Sequence, residues 1–224
     1  MKKDKSALLS RPFYVAGVCS IVSILFALIG NVLLSLFPYT VTNYFYSFGA
    51  FLLSLPIYYA FFVLGQRYNN KLLRVLSILA MVFGFVLLLT LIGFTIHTPS
   101  YFNEINQTVI GYNATLASLN ATGNFTESQA NILMQEAGEK IVELLLPILA
   151  IGLVLVIVFI IYIILWGVAL TKLDKKVKYA KIAGILTIVG AATLIIFVGL
   201  FVLLAAAIFE IMILFDQAKK FKEY

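Results

Sequence analysis

Charge is scarce in this chain: 12% of its 224 residues are Asp, Glu, Lys or Arg, against 62% hydrophobic ones. A soluble domain needs about 25% charged residues to cover its surface. This chain cannot make that surface, and a mean hydropathy of +1.05 agrees that its solvent is largely lipid. Cysteine is scarcer still. Cys19, inside the first apolar run, is the only one, so no disulfide can form within the chain. His97 is the only histidine and Trp166 the only tryptophan. One histidine excludes bis-histidine haem ligation within the chain. No His/Cys cluster has metal-site spacing, and no phosphate loop, nucleophile elbow or dinucleotide fingerprint is present. The sequence therefore offers no catalytic residue, no cofactor-binding residue and no metal ligand. A non-enzyme without cofactor is expected. His97 with Glu104 is the one acid–base pairing, and a lone histidine at a membrane edge is usually inert.

Long apolar runs are what the chain has instead. Stretches of about 20 apolar residues define an integral membrane protein. In hydrocarbon every backbone polar group must be paired internally, which leaves helices or a closed barrel. Period-2 alternation is absent, so the expectation is an all-α polytopic transmembrane helical bundle. Spans are read at residues 13–37, 44–65, 75–96 and 144–170. The basic start and long first run read as a retained span rather than a cleaved signal peptide. Residues 182–215 hold one charge, Glu210. As one straight helix they would measure about 51 Å, against a hydrocarbon core of about 30 Å. As two helices they give about sixteen residues each, turning near Gly199, which a thin or tilted packing accepts. Six spans are expected, with five as the alternative. The organisation is then three spans over 1–96, a polar loop over 97–143, and three spans with a basic tail over 144–224.

The sixteen basic residues set the orientation. Lys2, Lys3, Lys5 and Arg11 precede span one. Arg67, Lys71 and Arg74 lie between spans two and three. Lys172, Lys175, Lys176, Lys178 and Lys181 follow span four, and Lys219, Lys220 and Lys222 close the chain. Only Lys140 is in the loop. With six spans, fifteen of the sixteen face inward and both termini are cytoplasmic; with five, the last three face outward. The positive-inside rule favours six, in a cell membrane. The net charge of +6 is thus a topology signal, and nucleic acid is not an expected partner.

The loop carries the opposite signature. Four Asn-x-Thr triplets start at Asn106, Asn113, Asn120 and Asn124, with Glu104, Glu127, Glu136, Glu139 and Glu143 set against Lys140. Such triplets accept glycans where a segment is exported. An external loop is expected, with these four asparagines as glycosylation sites. Thr126 followed three residues later by Gln129 is a capping-box pattern. It predicts a helix from about Glu127 into span four. Residues 101–119 carry a weaker amphipathic pattern. A helical hairpin and a mobile, sugar-coated loop are the two readings.

Within the spans, Ser23, Ala27, Asn31 and Ser35 recur every fourth residue, placing small and polar groups on one helix face. Ala80 and Gly84, and Ala180 and Gly184, share that spacing; helix packing is the expected role. Tyr58, Tyr59 and Tyr162 are expected to pack within the bundle. Tyr39, Tyr44, Phe45 and Tyr46, with Tyr14, Tyr68 and Trp166 at the other side, read as interfacial belts. Glu210 reads as an acid near the inner interface, reaching headgroups or Lys181. Its alternative is a proton or cation site inside the bundle.

Two segments carry a resemblance. "YAKIAGILTIVGAATLIIFVGLFVLLAAAIFEIMILFDQ", residues 179–217, opens on Ala-Gly, holds a mid-segment Gly-Ala pair and a second Gly, and ends apolar with an aromatic. "FVLGQRYNNKLLRVLSI", residues 62–78, carries a Tyr-Asn motif after span two. Together they resemble an uncharacterised, mainly archaeal membrane family, domain-of-unknown-function family 996. The similarity covers about half the chain and leaves the 97–143 loop without counterpart. It implies an archaeal polytopic protein and supplies no activity and no site residues. Four-span proteins with large outer loops, such as tetraspanins and claudins, are excluded because their loops depend on cysteines.

Two functions stay open from sequence. The first is a non-catalytic structural or accessory subunit in the lipid bilayer, beside other membrane subunits or further copies of itself. The second is a transporter or channel for an uncharged or lipophilic solute.

Overall fold

The computed structural model describes the backbone of residues 2–36, 39–121 and 127–222. The elements are α1 (Lys2–Leu36), α2 (Tyr39–Arg67), α3 (Lys71–Ala121), α4 (Glu127–Thr171), α5 (Ala180–Ala192), a 3-10 turn (Leu194–Ile196) and α6 (Val198–Lys222). The described residues contain no strand, so the fold is all-α. Asn124 and Thr126, and the side chains of Asn31, Ser35, His97, Glu104 and Asn120, lie outside the described residues.

Among the described residues, five stretches are long and apolar enough to cross a membrane: Ser10–Ile29, Phe45–Arg67, Lys71–Thr90, Asn131–Thr171 and Val198–Phe221. The sixth apolar helix, α5, has 13 residues, about 20 Å, which is short of the roughly 30 Å hydrocarbon core. Residues 182–215 do break into two helices near Gly199, but not into equal halves. The helix after the break, α6, has 25 residues. The chain reverses over 193–197, where Phe197 takes a left-handed φ of 60°. Gly199 serves the hairpin in another way. A Cβ there would collide with the Gly190 carbonyl and the Leu194 backbone, so its bare Cα lets α6 start against α5. The apex is apolar and outward, with Phe197 75% and Phe201 76% exposed. Its amides are paired locally: Ile196 and Gly199 donate to the Thr193 carbonyl and Phe197 to the Leu194 carbonyl. Internal pairing of this kind is what a turn meeting lipid requires.

The chain forms two compact units, Met1–Leu91 with Phe159–Tyr224, and Ile92–Val158. The smaller unit contains the 97–143 segment and is helical over 92–121 and 127–158. The helix expected from Glu127 into span four is observed: α4 starts at Glu127 and runs to Thr171 without a break. Asn106 and Asn113 sit exposed on helical backbone. From Leu145 to Val158 almost every described side chain of α4 is exposed and apolar.

In the larger unit the basic groups meet at one end. Phe13 stacks on Phe221 with centroids 5.2 Å apart, and the Arg67 guanidinium lies 3.7 Å from the Phe221 ring centre. Tyr68 Oη donates to Gln217 Oε1 at 2.9 Å, and Lys176 Nζ donates to the Tyr68 carbonyl at 3.4 Å. Arg11 and Lys219 line one cleft. The link between α2 and α3 is locked here by Asn70. Its Oδ1 accepts from the Leu73 amide at 3.1 Å, capping α3, and its Nδ2 donates to the Ala169 carbonyl at 2.7 Å, tying that cap to α4.

Small residues set the helix crossings. A Cβ on Gly184 would lie 2.5 Å from the Gly167 carbonyl oxygen, so α5 and α4 touch backbone to backbone. Ala80 is buried, and the Phe51 ring packs beside Gly84. On α1, Ser23 is half-buried and Ala27 exposed.

Candidate functional site

The polar interior of the larger unit is built on three helices. On α6, Ala206, Ile213, Leu214 and Gln217 are buried. They lie at i−4, i+3, i+4 and i+7 from Glu210, which puts Glu210 on the inward face. On α4 the same spacing groups Tyr162, Ile163 and Leu170 with Trp166, whose indole is only 6% exposed. On α2, Tyr58 turns inward while Tyr59, about 100° round the helix, is 50% exposed.

Trp166 Nε1 donates to Glu210 Oε1 at 2.9 Å. The indole is fixed by rings on three sides. Phe61 stands edge-on at 5.1 Å, Tyr58 edge-on at 5.9 Å and 89°, and Tyr162 lies tilted at 6.1 Å. This corrects two expectations. Trp166 is a core residue, not part of an interfacial belt: its polar edge is satisfied by a carboxylate, not by headgroups. Glu210 does not reach Lys181, which pairs instead with Asp174 at 3.2 Å. Glu210 lies about 18 Å from either end of α6 at 1.5 Å per residue. The next charge on that helix, Asp216, is about 9 Å further along.

Glu210, Trp166, Tyr58 and Tyr162 line a cavity of about 230 Å³, with Ser54 and Thr187 as its other polar residues and Phe159 and aliphatic side chains elsewhere. Most of its polar hydrogens are spent within the protein. Ser54 donates to the Phe51 carbonyl at 2.7 Å, Thr187 to the Ala183 carbonyl at 2.8 Å and Tyr162 to the Leu76 carbonyl at 3.4 Å. Glu210 Oε2 and the Tyr58 hydroxyl have no protein partner among the described residues. No side-chain nitrogen or oxygen among the described residues is both buried and unpartnered, so these two atoms are accessible, on residues that line the cavity.

A second cavity, of about 290 Å³, adjoins the first and shares Ser54, Tyr58, Phe159 and Tyr162 with it. It reaches along α2 to Tyr46 and Ser47, about 18 Å from Tyr58 along the helix. Its other walls are mostly apolar and include Ala80 and Gly84. The small residues read as packing groups thus also leave room beside Phe51. No group of three or more His, Cys, Asp or Glu among the described residues could hold a metal ion.

Sequence reasoning singled out Glu210, Tyr58 and Tyr162. It missed Trp166 as their centre. The usable signal was the pairing of the only tryptophan with the only acid of a long apolar run.

No family model matches this chain, and no curated protein and no solved structure matches it.

Proposed function

We propose that this chain is a multi-pass membrane protein that takes a small solute into the Glu210 cavity, as a transporter or channel does. One observation carries the reading: the single carboxyl of an apolar bundle keeps an accessible oxygen, on a residue that lines a cavity adjoining a second cavity. An acid at the centre of a membrane helix costs about 2.5–3.5 kcal/mol on insertion scales. A leucine at 210 would pack the bundle without that cost. Packing alone therefore gives no reason for Glu210, whereas a ligand site does.

The proposed arrangement has six helical segments in a cell membrane, with α5 and the start of α6 forming a short hairpin. Both termini are cytoplasmic and residues 97–143 external. The meeting of the basic groups at one end of the larger unit supports this through the positive-inside rule. The resemblance of residues 62–78 and 179–217 to an archaeal membrane family belongs to the same proposal.

The test is thermal unfolding of the purified protein against a panel of small lipophilic solutes. Stabilisation by at least one solute, lost in Glu210→Gln, is expected. A second reading, an accessory subunit without solute, draws on the apolar surface of α4 between Leu145 and Val158, which lipid or a partner helix must cover. Subunits co-purifying in fixed ratio, with no solute giving stabilisation, would select it.

A further inference from the structure

We propose that the ligand of the Glu210 cavity is a small organic ammonium cation. Its ammonium head lies against Glu210 Oε2 and Tyr58 Oη, and its apolar body lies among the rings of Tyr58, Phe159, Tyr162 and Trp166. The inference rests on the solute-binding reading and names the ligand class.

The first argument is charge. Glu210 makes no ion pair among the described residues, and no Lys or Arg lines the cavity. Two described acids at the basic end are occupied by lysines of their own, Asp174 by Lys181 and Asp216 by Lys220. A buried carboxylate held by one indole N–H is incompletely compensated in a low dielectric. A cation brought by the ligand completes it.

The second argument is chemistry. A metal ion needs a set of convergent hard or soft ligands, and the described residues contain no such group. What surrounds the carboxyl is aromatic. Trp166 and Tyr58 stand perpendicular, and Tyr162 lies tilted beside them. Rings at different inclinations can offer a face to a cation seated near the acid. Attraction to a ring within about 6 Å is strongest when the cation is desolvated. A primary ammonium has three N–H donors, and two accessible oxygens, Oε2 and the Tyr58 hydroxyl, await them.

The third argument is size. A cavity of about 230 Å³ has room for a body of one ring or a short chain. The adjoining cavity, mostly apolar in its walls, suits a lipophilic cation.

Trp166 is the only tryptophan, so the emission of the intact protein reports this site alone. The experiment titrates full-length protein in lipid nanodiscs with benzylammonium and with benzyl alcohol, a neutral molecule of the same shape. A saturable change in Trp166 emission with benzylammonium is expected. Benzyl alcohol should bind about tenfold or more weakly, the order for losing a charge-assisted hydrogen bond. Glu210→Gln should lose the preference. If both compounds bind alike, the cation proposal is overturned while solute binding stands. If neither changes the emission or the thermal unfolding, both readings fall. The comparison of the two compounds on the native chain decides the matter even where Glu210→Gln does not fold.

Discussion

Trp166 Nε1 and Glu210 Oε1 are 2.9 Å apart, a hydrogen bond between α4 and α6 that spans 44 positions of sequence. It joins the only tryptophan to the only charge within residues 182–215. In a low-dielectric core such a bond is strong, and so is the penalty for leaving either partner alone. Two predictions about this pair follow from that asymmetry.

Trp166→Phe keeps an aromatic ring and removes the donor, stranding the carboxyl. The loss should be about 1–3 kcal/mol, the cost of an unsatisfied buried polar group. Glu210→Gln keeps an acceptor for the indole and should lose less. Thermal unfolding of both variants in one detergent gives the order. Trp166→Phe as stable as the native chain would mean that the bond contributes nothing.

Gly184→Ala should destabilise the protein, because the new methyl would lie 2.5 Å from the Gly167 carbonyl and 2.8 Å from the Thr171 amide. Both are backbone atoms and cannot rotate away, so α5 must move off α4. Overpacking of this sort costs about 1–3 kcal/mol. Gly152→Ala is the control, since a Cβ there meets nothing within 4 Å. Equal melting temperatures for the two variants would refute the close α4–α5 crossing.

Asn70→Ala removes a cap and an interhelical bond together. Loss of the cap alone costs about 0.5–2 kcal/mol, and the Ala169 carbonyl loses its donor as well. Asn69→Ala next to it has no such bonds to lose, but its φ of 55° disfavours a Cβ-bearing residue without a short polar side chain. The larger loss is expected at Asn70, measured by thermal unfolding. A larger loss at Asn69 would assign the stability of the link to backbone conformation instead.

The helices were legible because hydrophobic runs and capping residues are local signals. Glu127 as the start of α4 follows from Thr126 and Gln129, three residues apart. The length of the apolar run puts the reversal after α5 near Gly199, and glycine is the usual residue at positive φ. Here Phe197 takes that conformation, and the glycine serves a backbone contact that only the folded hairpin reveals. Tyr58 and Tyr59 look alike in sequence, and only neighbouring helices decide which one turns inward. Trp166 reads from sequence as part of an interfacial belt with Tyr14 and Tyr68. That reading is sound for a tryptophan facing lipid and fails for one that finds a carboxylate 44 positions away.

Asn113 is exposed on α3 and belongs to an intact Asn-Ala-Thr triplet whose Thr115 hydroxyl donates to the Gly111 carbonyl at 2.9 Å. Asn106 is exposed as well. If residues 97–143 are exported, protein from its native host should carry glycan on at least one of the four acceptor asparagines. Intact-mass measurement would then exceed the 24.8 kDa of the bare chain. An unmodified mass would reduce the triplets to an accident of composition.

The proposed orientation itself can be read with cysteine labelling, because Cys19 is the only cysteine to remove. Within the larger unit, Lys176 bonds to the link before α3, and Arg67 of that region packs on Phe221 of the chain's last helix. These contacts bring the segment after α4 and the end of α6 together, and in the proposed orientation that end faces the cytoplasm. In a Cys19→Ser background, Lys175→Cys and Lys222→Cys should react with a membrane-impermeant maleimide only after the cells are opened. Asn113→Cys should react in intact cells. The five-span alternative makes a different forecast, with Lys222→Cys labelled from outside while Lys175→Cys stays protected. Labelling of Lys222→Cys in intact cells would therefore sink the six-segment topology, and protection of Asn113→Cys would remove the external assignment of the loop.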